Sequence, residues 1–213
     1  MRLYVAVIIL LFCVYASAQA DWEATAEAKA HQLIQKNGPP TDPVLKQELL
    51  KMYAEDQGIR NRLDSASAGQ HPELDKQMEQ IDARLTARLK QIVATNGWPT
   101  IALVGSEASQ AAEVMLIHSP DHAWQAGLLP QLQKLVEKDK IFGSDVATLT
   151  DRILVSQGKP QEFGTQYKDA GNKMIIMPIA NPKSVDQRRA TYMLPPMAVY
   201  KKTLSDLHHM PIE

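Results

Sequence analysis

The chain has 213 residues, of which 23 are Lys or Arg and 24 are Asp or Glu, and its formal net charge is −1 at pH 7. No basic excess is available to neutralise phosphate groups, so the composition argues against nucleic acid as a partner. A chain of this length can build a substantial core without disulfide staples, and it suits one domain with an N-terminal extension.

The first twenty residues have the pattern of a secretory signal peptide. Arg2 supplies a positive start, residues 3–15 are almost wholly apolar, and small residues fill positions 16–20. The apolar run is shorter than the ~20 residues that span a bilayer, so we expect cleavage rather than a membrane anchor. Ala20 is the expected cleavage site, with Ala18 as the alternative. The sequence therefore predicts a secreted or periplasmic protein.

Cleavage would also remove Cys13, the single cysteine of the chain. The mature chain would then have no thiol nucleophile and no disulfide, although it meets an oxidising compartment. No second apolar segment is long enough to enter a membrane, so we predict no membrane association after cleavage. The predicted organisation is a signal peptide at 1–20, an N-terminal helix or arm with a linker at 21–40, a single mainly helical domain at 41–206 and a tail at 207–213.

Two long helices are predicted after the N-terminal segment. Residues 21–36 favour a helix that ends at the following Asn-Gly-Pro-Pro. Thr41 or Asp42 can cap the next helix, and Pro43 suits its first turn. Apolar residues then recur at spacings of three and four on either side of a loop at 64–72, which predicts an antiparallel αα-hairpin. The two apolar stripes are Leu45, Leu49, Met52, Ile59 and Leu63, and then Leu74, Met78, Ile81, Leu85, Leu89 and Ile92.

Three shorter helices are predicted next. Ser106 can cap a helix that runs to about His118, with alanines along one face that would let another helix approach closely. Ser119 can cap the following helix, in which Pro130 marks a late start or a kink. Ser144 can cap the third.

The pattern changes in the last third of the chain. Residues 163–168 and 173–178 have the pattern of a β-hairpin. The second strand is uniformly apolar, so we expect it to be covered on both faces. Closing helices are predicted around 184–192 and 196–204, followed by a frayed tail. The predicted fold class is mainly α, an antiparallel helical bundle or array with one small β-hairpin near the C-terminal third.

Asp56 interrupts the apolar stripe of the first long helix. Burying a carboxylate costs several kcal/mol unless it is paired and hydrogen-bonded. Arg60 lies one helical turn later, at the spacing that lets the two side chains meet. Asp56 is therefore either half of a structural ion pair or a carboxylate that lines a pocket beside Gln57.

His118 continues the small-residue face of its helix. It is either a core or capping residue or a general base that contacts a ligand. His122 follows four residues later, a spacing typical of helical metal pairs, but Ser119 and Pro120 break the helix between them. We therefore predict no metal site.

Charged pairs lie in two later helices. Asp151 and Arg152 flank an apolar face, either as a salt bridge or as site residues. Arg188 and Arg189 are adjacent, so at least one must point inward or sideways. An inward Arg needs a carboxylate, which Asp56 or Asp151 could supply, or a bound anion.

The segment from Gln161 to Gln166 is the least typical of a simple connection. The two amides flank Gly164 and Thr165, and Gly164 permits a tight turn or a close backbone approach. Either the amides satisfy backbone groups of the loop, or they orient a ligand at the rim of a polar pocket. Trp98, which follows a helix end, is interpreted as an aromatic plug.

Together these residues resemble an uncharacterised bacterial family, domain-of-unknown-function family 6624. The resemblance covers about residues 45–204 and implies a mostly helical domain with a shared site, without naming a reaction. It is carried by Asp56-Gln57 with Arg60, Gly97-Trp98-Pro99, Gly105, His118, Asp151-Arg152, Gln161-x-x-Gly164-Thr165-Gln166 and Arg188-Arg189.

Two hypotheses for function follow. In the first, one cleft binds an unknown small molecule or peptide and catalyses acid/base hydrolysis without a cofactor. His118 is then the acid/base, Asp56 or Asp151 orients it, and an Arg binds the anion. In the second, the protein is a non-catalytic cell-envelope binding or scaffold module whose buried polar network is structural. Whether the protein is an enzyme, and its oligomeric state, stay open. The candidate ligand contacts are Gln57, Arg60, Trp98, Arg152, Gln161, Gly164, Thr165, Gln166, Arg188 and Arg189.

Overall fold

The computed structural model describes residues 21–67 and 69–213. The predicted signal peptide and its cleavage site lie outside the described residues. Within the described ranges, no helix combines the length and the apolar character needed to cross a membrane.

The described residues form nine α-helices and one two-stranded sheet, which confirms the predicted mainly α fold class with its single β-hairpin. Helix α1 is described at residues 21–37. The remaining elements are α2 Pro43–Asp64, α3 His71–Asn96, α4 Ile101–Val104, α5 Ser106–Ile117, α6 His122–Glu137, α7 Ser144–Ser156, β1 Tyr167–Asp169, β2 Met174–Ile176, a 3-10 turn at Pro182–Ser184, α8 Val185–Thr191 and α9 Met197–His208.

These residues divide into two compact units. We call residues 33–149 the middle unit, and residues 21–32 together with 150–213 the terminal unit. The division falls inside α1 and inside α7. The predicted domain boundaries stay a prediction.

Helix α2 begins where its sequence predicts. The Asp42 carboxylate accepts a hydrogen bond from the Leu45 backbone N–H at 2.9 Å, and Pro43 occupies the first turn. The predicted stripe is buried as far as Ile59, whereas Leu63 in the last turn is only half-buried. Hydrophobic burial of that stripe is the main source of the helix's stability, because each buried large aliphatic side chain contributes about 1.5–3 kcal/mol.

Helices α2 and α3 pack as the predicted antiparallel hairpin. Arg88 pairs with Glu48 at 2.5 Å, and Arg60 pairs with Asp82 at 3.0 Å, so partner numbers rise on one helix as they fall on the other. Beneath the pairs, Leu89 is fully buried. Because the Arg88 pair is exposed, it fixes register more than stability.

Helix α5 uses small residues to pack closely against its neighbours. Ala108 and Ala112 are fully buried and Ala111 is 2% exposed, as the predicted alanine face requires. Helices α2 and α3 both contact α5 within the middle unit. This packing brings the end of α5, at His118, against α2.

Helix α6 begins later than predicted. Its cap is Asp121, whose carboxylate accepts from the Trp124 backbone N–H at 2.9 Å, so the predicted Ser119 cap is wrong. The Ser119 hydroxyl accepts from the Asp121 N–H instead, at 3.1 Å. Pro130 lies inside the helix.

The hairpin is shorter than predicted, and its second strand is less covered. Strand β1 pairs antiparallel with β2 in the register Tyr167↔Ile176, Lys168↔Ile175 and Asp169↔Met174. Only Met174 of β2 is buried, so the expectation of a strand covered on both faces is wrong. Ile175 and Ile176 are only half-buried, and the partner strand β1 is exposed at all three positions.

The predicted frayed tail is also wrong. Helix α9 extends to His208, and the final residues then pair with β2. The Met174 N–H donates to the Pro211 carbonyl and the Glu213 N–H donates to the Met174 carbonyl, both at 2.9 Å. The unpaired edge of β2 offered backbone donors and acceptors, and the tail satisfies them.

Candidate functional site

A histidine and a buried carboxylate meet in the middle unit. His118 ends α5, and its Nδ1 lies 2.9 Å from Oδ1 and 3.0 Å from Oδ2 of Asp56 in α2. The Asp56 side chain is 1% exposed, whereas the His118 side chain is 25% exposed. A carboxylate can only accept, so the Nδ1–H of His118 donates to Asp56, and in the corresponding neutral tautomer Nε2 is an acceptor.

Three further side chains complete this arrangement, which we call the His118 cluster: Asp56, Gln57, Arg60, Asp82 and His118. Arg60 Nη1 lies 2.9 Å from Asp56 Oδ1, at the predicted one-turn spacing. Gln57 Nε2 donates to Asp56 Oδ2 at 2.7 Å. The buried carboxylate is therefore paired and hydrogen-bonded, which offsets the cost of its desolvation.

Asp82 is the member of the cluster that the sequence reasoning missed. Both of its carboxylate oxygens accept from Arg60 Nη2 at 3.0 Å. Burial raises the pKa of Asp82, and the ion pair with Arg60 opposes that rise. The predicted hairpin could have identified Asp82, because antiparallel pairing of the two long helices places a carboxylate of α3 opposite Arg60.

The second ring nitrogen of His118 is chemically available. Among the described residues, Nε2 of His118 has no hydrogen-bond partner. A carboxylate on Nδ1 fixes the tautomer and stabilises the imidazolium that forms when Nε2 takes a proton. This geometry suits general acid/base chemistry or a hydrogen bond to a ligand.

A different kind of polar site lies in the terminal unit. The carboxylate of Asp151, fully buried in α7, accepts from the backbone N–H of Glu162 at 2.7 Å, of Phe163 at 3.0 Å and of Thr165 at 2.9 Å. The Thr165 hydroxyl donates a further bond at 2.9 Å. We call this arrangement the Asp151 network; in it the carboxylate holds the loop that follows α7.

Gln161 and Gln166 bond to the chain itself. The Gln161 amide donates to the carbonyls of Gln166 at 2.9 Å and Met177 at 2.8 Å. Its oxygen accepts from the Gln166 N–H at 2.8 Å, so the fully buried side chain imitates a backbone ladder. The Gln166 amide donates to the Thr165 hydroxyl at 3.1 Å. Of the two predicted roles, this geometry supports the first, in which the amides form hydrogen bonds with backbone groups of the loop.

Arg189 is the inward arginine, and its partners are not carboxylates. It is fully buried and donates to the backbone carbonyls of Phe163 and Pro195, and its guanidinium lies 4.7 Å from the centre of the Tyr200 ring. Burial lowers the pKa of Arg189 to about 10 and raises that of Tyr200 to about 12. The expectation of a carboxylate partner is wrong, because the guanidinium donates its hydrogen bonds to two backbone carbonyls instead.

The remaining candidate residues are Arg188, Arg152 and Trp98. Arg188 donates to the Glu162 carbonyl at 2.9 Å and to the Ala180 carbonyl at 2.6 Å. Arg152 is exposed on α7. Trp98 is 3% exposed, which agrees with an aromatic plug.

Gly164 is required by both conformation and space. Its φ is +74°, in the left-handed region that favours glycine. A Cβ there would lie 2.8 Å from Ile179 Cδ1 and 2.9 Å from Met197 Sδ. The loop thus passes closer to its neighbours than any other residue type permits.

The candidate residues therefore form one cluster in each unit. Asp56, Gln57, Arg60 and His118 meet in the middle unit. Within the described residues, no group of three or more His, Cys, Asp or Glu side chains has the arrangement of a metal site.

Comparison with protein families identifies the chain. A family model described as a family of unknown function (DUF6624) matches residues 43–213. The chain belongs to this family. The match confirms the resemblance found in the sequence, and it covers α2 through the paired C-terminal segment, so both clusters belong to the DUF6624 region. No curated protein and no solved structure matches the chain.

Proposed function

We propose that this DUF6624 member is an exported protein that uses His118 as an acid/base group on a small polar ligand. The observation that carries the proposal is the contrast between the two ring nitrogens of His118. Nδ1 is held by the buried Asp56, whereas Nε2, on a side chain that is 25% exposed, has no hydrogen-bond partner in the part of the chain that the structure describes. Export is supported by the pattern of residues 1–20.

The chemistry that fits best is hydrolysis. His118 Nε2 takes the proton of a water molecule as the water oxygen attacks the ligand, and it then returns that proton to the leaving group. Asp56 stabilises the imidazolium between the two steps. Arg60 acts as a positioning residue, because its two terminal nitrogens are engaged by Asp56 and Asp82.

The test of catalysis compares His118→Gln with the wild-type protein. Purified protein is incubated with chromogenic esters, phosphate monoesters and glycosides, and co-purified ligand is sought by native mass spectrometry. We expect one class to be hydrolysed, with at least a ~100-fold loss in His118→Gln. His31→Gln is the control, since His31 is exposed on α1. Equal rates in the two variants and the wild type would remove His118 from the mechanism.

Export has its own test. The full chain is expressed in a bacterial host, and the mature N-terminus is sequenced from the periplasmic and culture fractions. We expect the mature chain to begin at Asp21, or at Gln19 if cleavage follows Ala18. Uncleaved protein confined to the cytoplasm would contradict this part of the proposal.

A second candidate function rests on the Asp151 network. There the carboxylate and the Gln161 amide bond to loop backbone groups, which favours a non-catalytic scaffold for the terminal unit. If the substrate classes are not hydrolysed and no ligand co-purifies, the scaffold function is favoured for the whole chain.

A further inference from the structure

The His118 cluster contains a continuous row of four titratable or charged side chains from three helices. Nδ1 of His118 lies 2.9 Å and 3.0 Å from the two carboxylate oxygens of Asp56. Arg60 Nη1 lies 2.9 Å from Asp56 Oδ1, and Arg60 Nη2 lies 3.0 Å from both carboxylate oxygens of Asp82. Every link is at hydrogen-bonding distance. Asp82 in α3 is therefore connected to His118, at the end of α5, through two side chains of α2.

Asp82 restrains the guanidinium of Arg60. Both Asp82 oxygens accept from Nη2, while Nη1 donates to the Asp56 backbone carbonyl at 3.1 Å and contacts the Asp56 carboxylate. A planar guanidinium that is bonded at both ends is held in place against Asp56. The pair of Arg60 and Asp82 is largely buried, so solvent screens it only partly. Burial raises the pKa of Asp82, and the bond with Arg60 opposes that rise and favours the carboxylate.

The charges in this row determine how readily His118 accepts a proton. With a neutral imidazole, the two aspartates and Arg60 leave one negative charge uncompensated, and a proton on His118 neutralises it. Without Asp82, the pair of Asp56 and Arg60 would already be neutral, and the proton would leave an uncompensated positive charge. A nearby negative charge favours the protonated form of an imidazole. Asp82 therefore favours the imidazolium of His118, although it does not touch the ring.

Neighbouring elements carry other titratable groups that could influence His118. Helices α2, α3 and α4 contact α5, and α4 contains no charged residue. In α5 itself, Glu113 is 2% exposed and burial raises its pKa well above 4.5, so Glu113 keeps its proton at neutral pH. In α7, burial raises the pKa of Asp145, and His118 opposes that rise. The test therefore has to separate Asp82 from Asp145.

We propose that Asp82 is a positioning residue for His118, which holds Arg60 against Asp56 and supplies the negative charge that balances the imidazolium. The inference rests on the proposed function, because His118 carries the proton only between the two steps of the hydrolysis. Asp56 contacts the ring directly, whereas Asp82 acts through Arg60.

The test follows the ring signal of His118 by NMR between about pH 4 and about pH 10, a range that brackets the ordinary carboxyl and imidazole titrations. In Asp82→Asn the midpoint of the ring titration should fall by about half a pH unit, because a negative charge is lost while Arg60 remains. Asp82→Glu keeps the charge and should restore at least half of that fall. Asparagine has nearly the shape of aspartate, so the pair of variants separates the charge from a purely structural contact.

Two further variants show whether the effect is specific to Asp82. Asp75→Asn removes an exposed carboxylate two turns earlier in α3 and should leave the His118 midpoint unchanged. Asp145→Asn measures the influence of that carboxyl in the same way. An unchanged midpoint in a folded Asp82→Asn protein would overturn the proposal, whether or not the midpoint falls in Asp145→Asn.

The wild-type protein supplies a readout that does not depend on the stability of any variant. His118 and Asp82 influence each other's titration, so the ring signal should show a second, smaller inflection at the pH where the carboxyl carbon of Asp82 titrates. A ring signal without that inflection would contradict the proposal. None of these measurements needs turnover. An inactive protein would therefore refute the proposed function, while the titrations alone decide the role of Asp82.

Discussion

The His118 cluster and the Asp151 network place the same residue type in opposite roles. Each is built on a buried aspartate, with Asp56 at 1% exposure and Asp151 fully buried. Asp56 is bonded to side chains, one of which is a partly exposed imidazole whose Nε2 has no hydrogen-bond partner among residues 21–67 and 69–213. Asp151 is bonded mainly to backbone N–H groups of one loop. We therefore take a buried carboxylate in this protein as an indication of function only where one of its partners keeps a donor or acceptor atom that could bind a ligand.

The largest effect should come from the Asp151 network. In Asp151→Asn an amide N–H₂ replaces one carboxylate oxygen and faces backbone donors, so buried N–H groups lose their acceptor. We expect a loss of about 3–5 kcal/mol in the free energy of unfolding, measured by urea titration. Asp206→Asn is the control, because its pair with Lys202 is exposed, and it should cost no more than about 0.5 kcal/mol. Similar costs for the two variants would refute a structural role for Asp151.

The loop held by Asp151 gives the second prediction. Gly164→Ala combines a positive φ with a Cβ contact at 2.8 Å, so it should destabilise the protein by about 2–4 kcal/mol. Gly158→Ala has a similar φ, +70°, and no atom within 4 Å, so it should cost only about 1 kcal/mol. Thermal unfolding gives the loss of stability in each variant, and the difference between the two losses is the cost of the close Cβ contact at position 164. Equal costs would mean that the loop moves away from Ile179 and Met197.

Glu113 gives a pH-dependent prediction of intermediate size. Its folded pKa lies above the unfolded value of 4.5, so its contribution to stability is complete below pH 4.5 and is lost as the pH rises through the folded pKa. Glu113→Gln removes that loss. Relative to wild type, the variant should become progressively more stable as the pH rises from 5 to 8, because the wild-type carboxyl can ionise in its buried site only at a cost in folding free energy. Parallel stability curves for the two proteins across this range would exclude a raised pKa at Glu113.

The smallest stability effect should be at His118. In His118→Gln, Asp56 keeps its bonds to Arg60 and Gln57, so the cost in unfolding free energy should stay below about 1 kcal/mol. Thermal unfolding measures it alongside Asp151→Asn. A loss as large as that of Asp151→Asn would make the His118 cluster a second structural network and remove the contrast between the two units.

Much of the fold could be predicted from local sequence. The cap at Asp42, the stripe of α2 and the hairpin with α3 follow from spacing and capping chemistry, which act within one or two turns. One wrong expectation is local, since Asp121 rather than Ser119 caps α6, and the others concern contacts made over longer distances. The pairing of the tail with β2 depends on an edge that the sequence of the tail does not reveal.

The candidate site was predictable in parts. The pair of Asp56 and Arg60 follows from its one-turn spacing, and His118 was singled out by its place on an alanine-rich face. Asp56 and His118 are 62 residues apart in the chain, and no periodicity links positions at that separation. Glu113 gave no signal of its own, because its burial depends on helices packed around α5.

The sequence by itself determined the two long helices, the cap at Asp42 and the pair of Asp56 with Arg60, since these depend on neighbours a few residues away. Only the tertiary structure decided which polar side chain has an unused atom. Gln161 and Arg189 bond to carbonyls of distant segments, and His118 bonds to Asp56 through one nitrogen and leaves the other without a partner among the described residues. The physical reason is that hydrogen-bond satisfaction is set by what the packed chain brings within about 3 Å, which is a property of the whole fold.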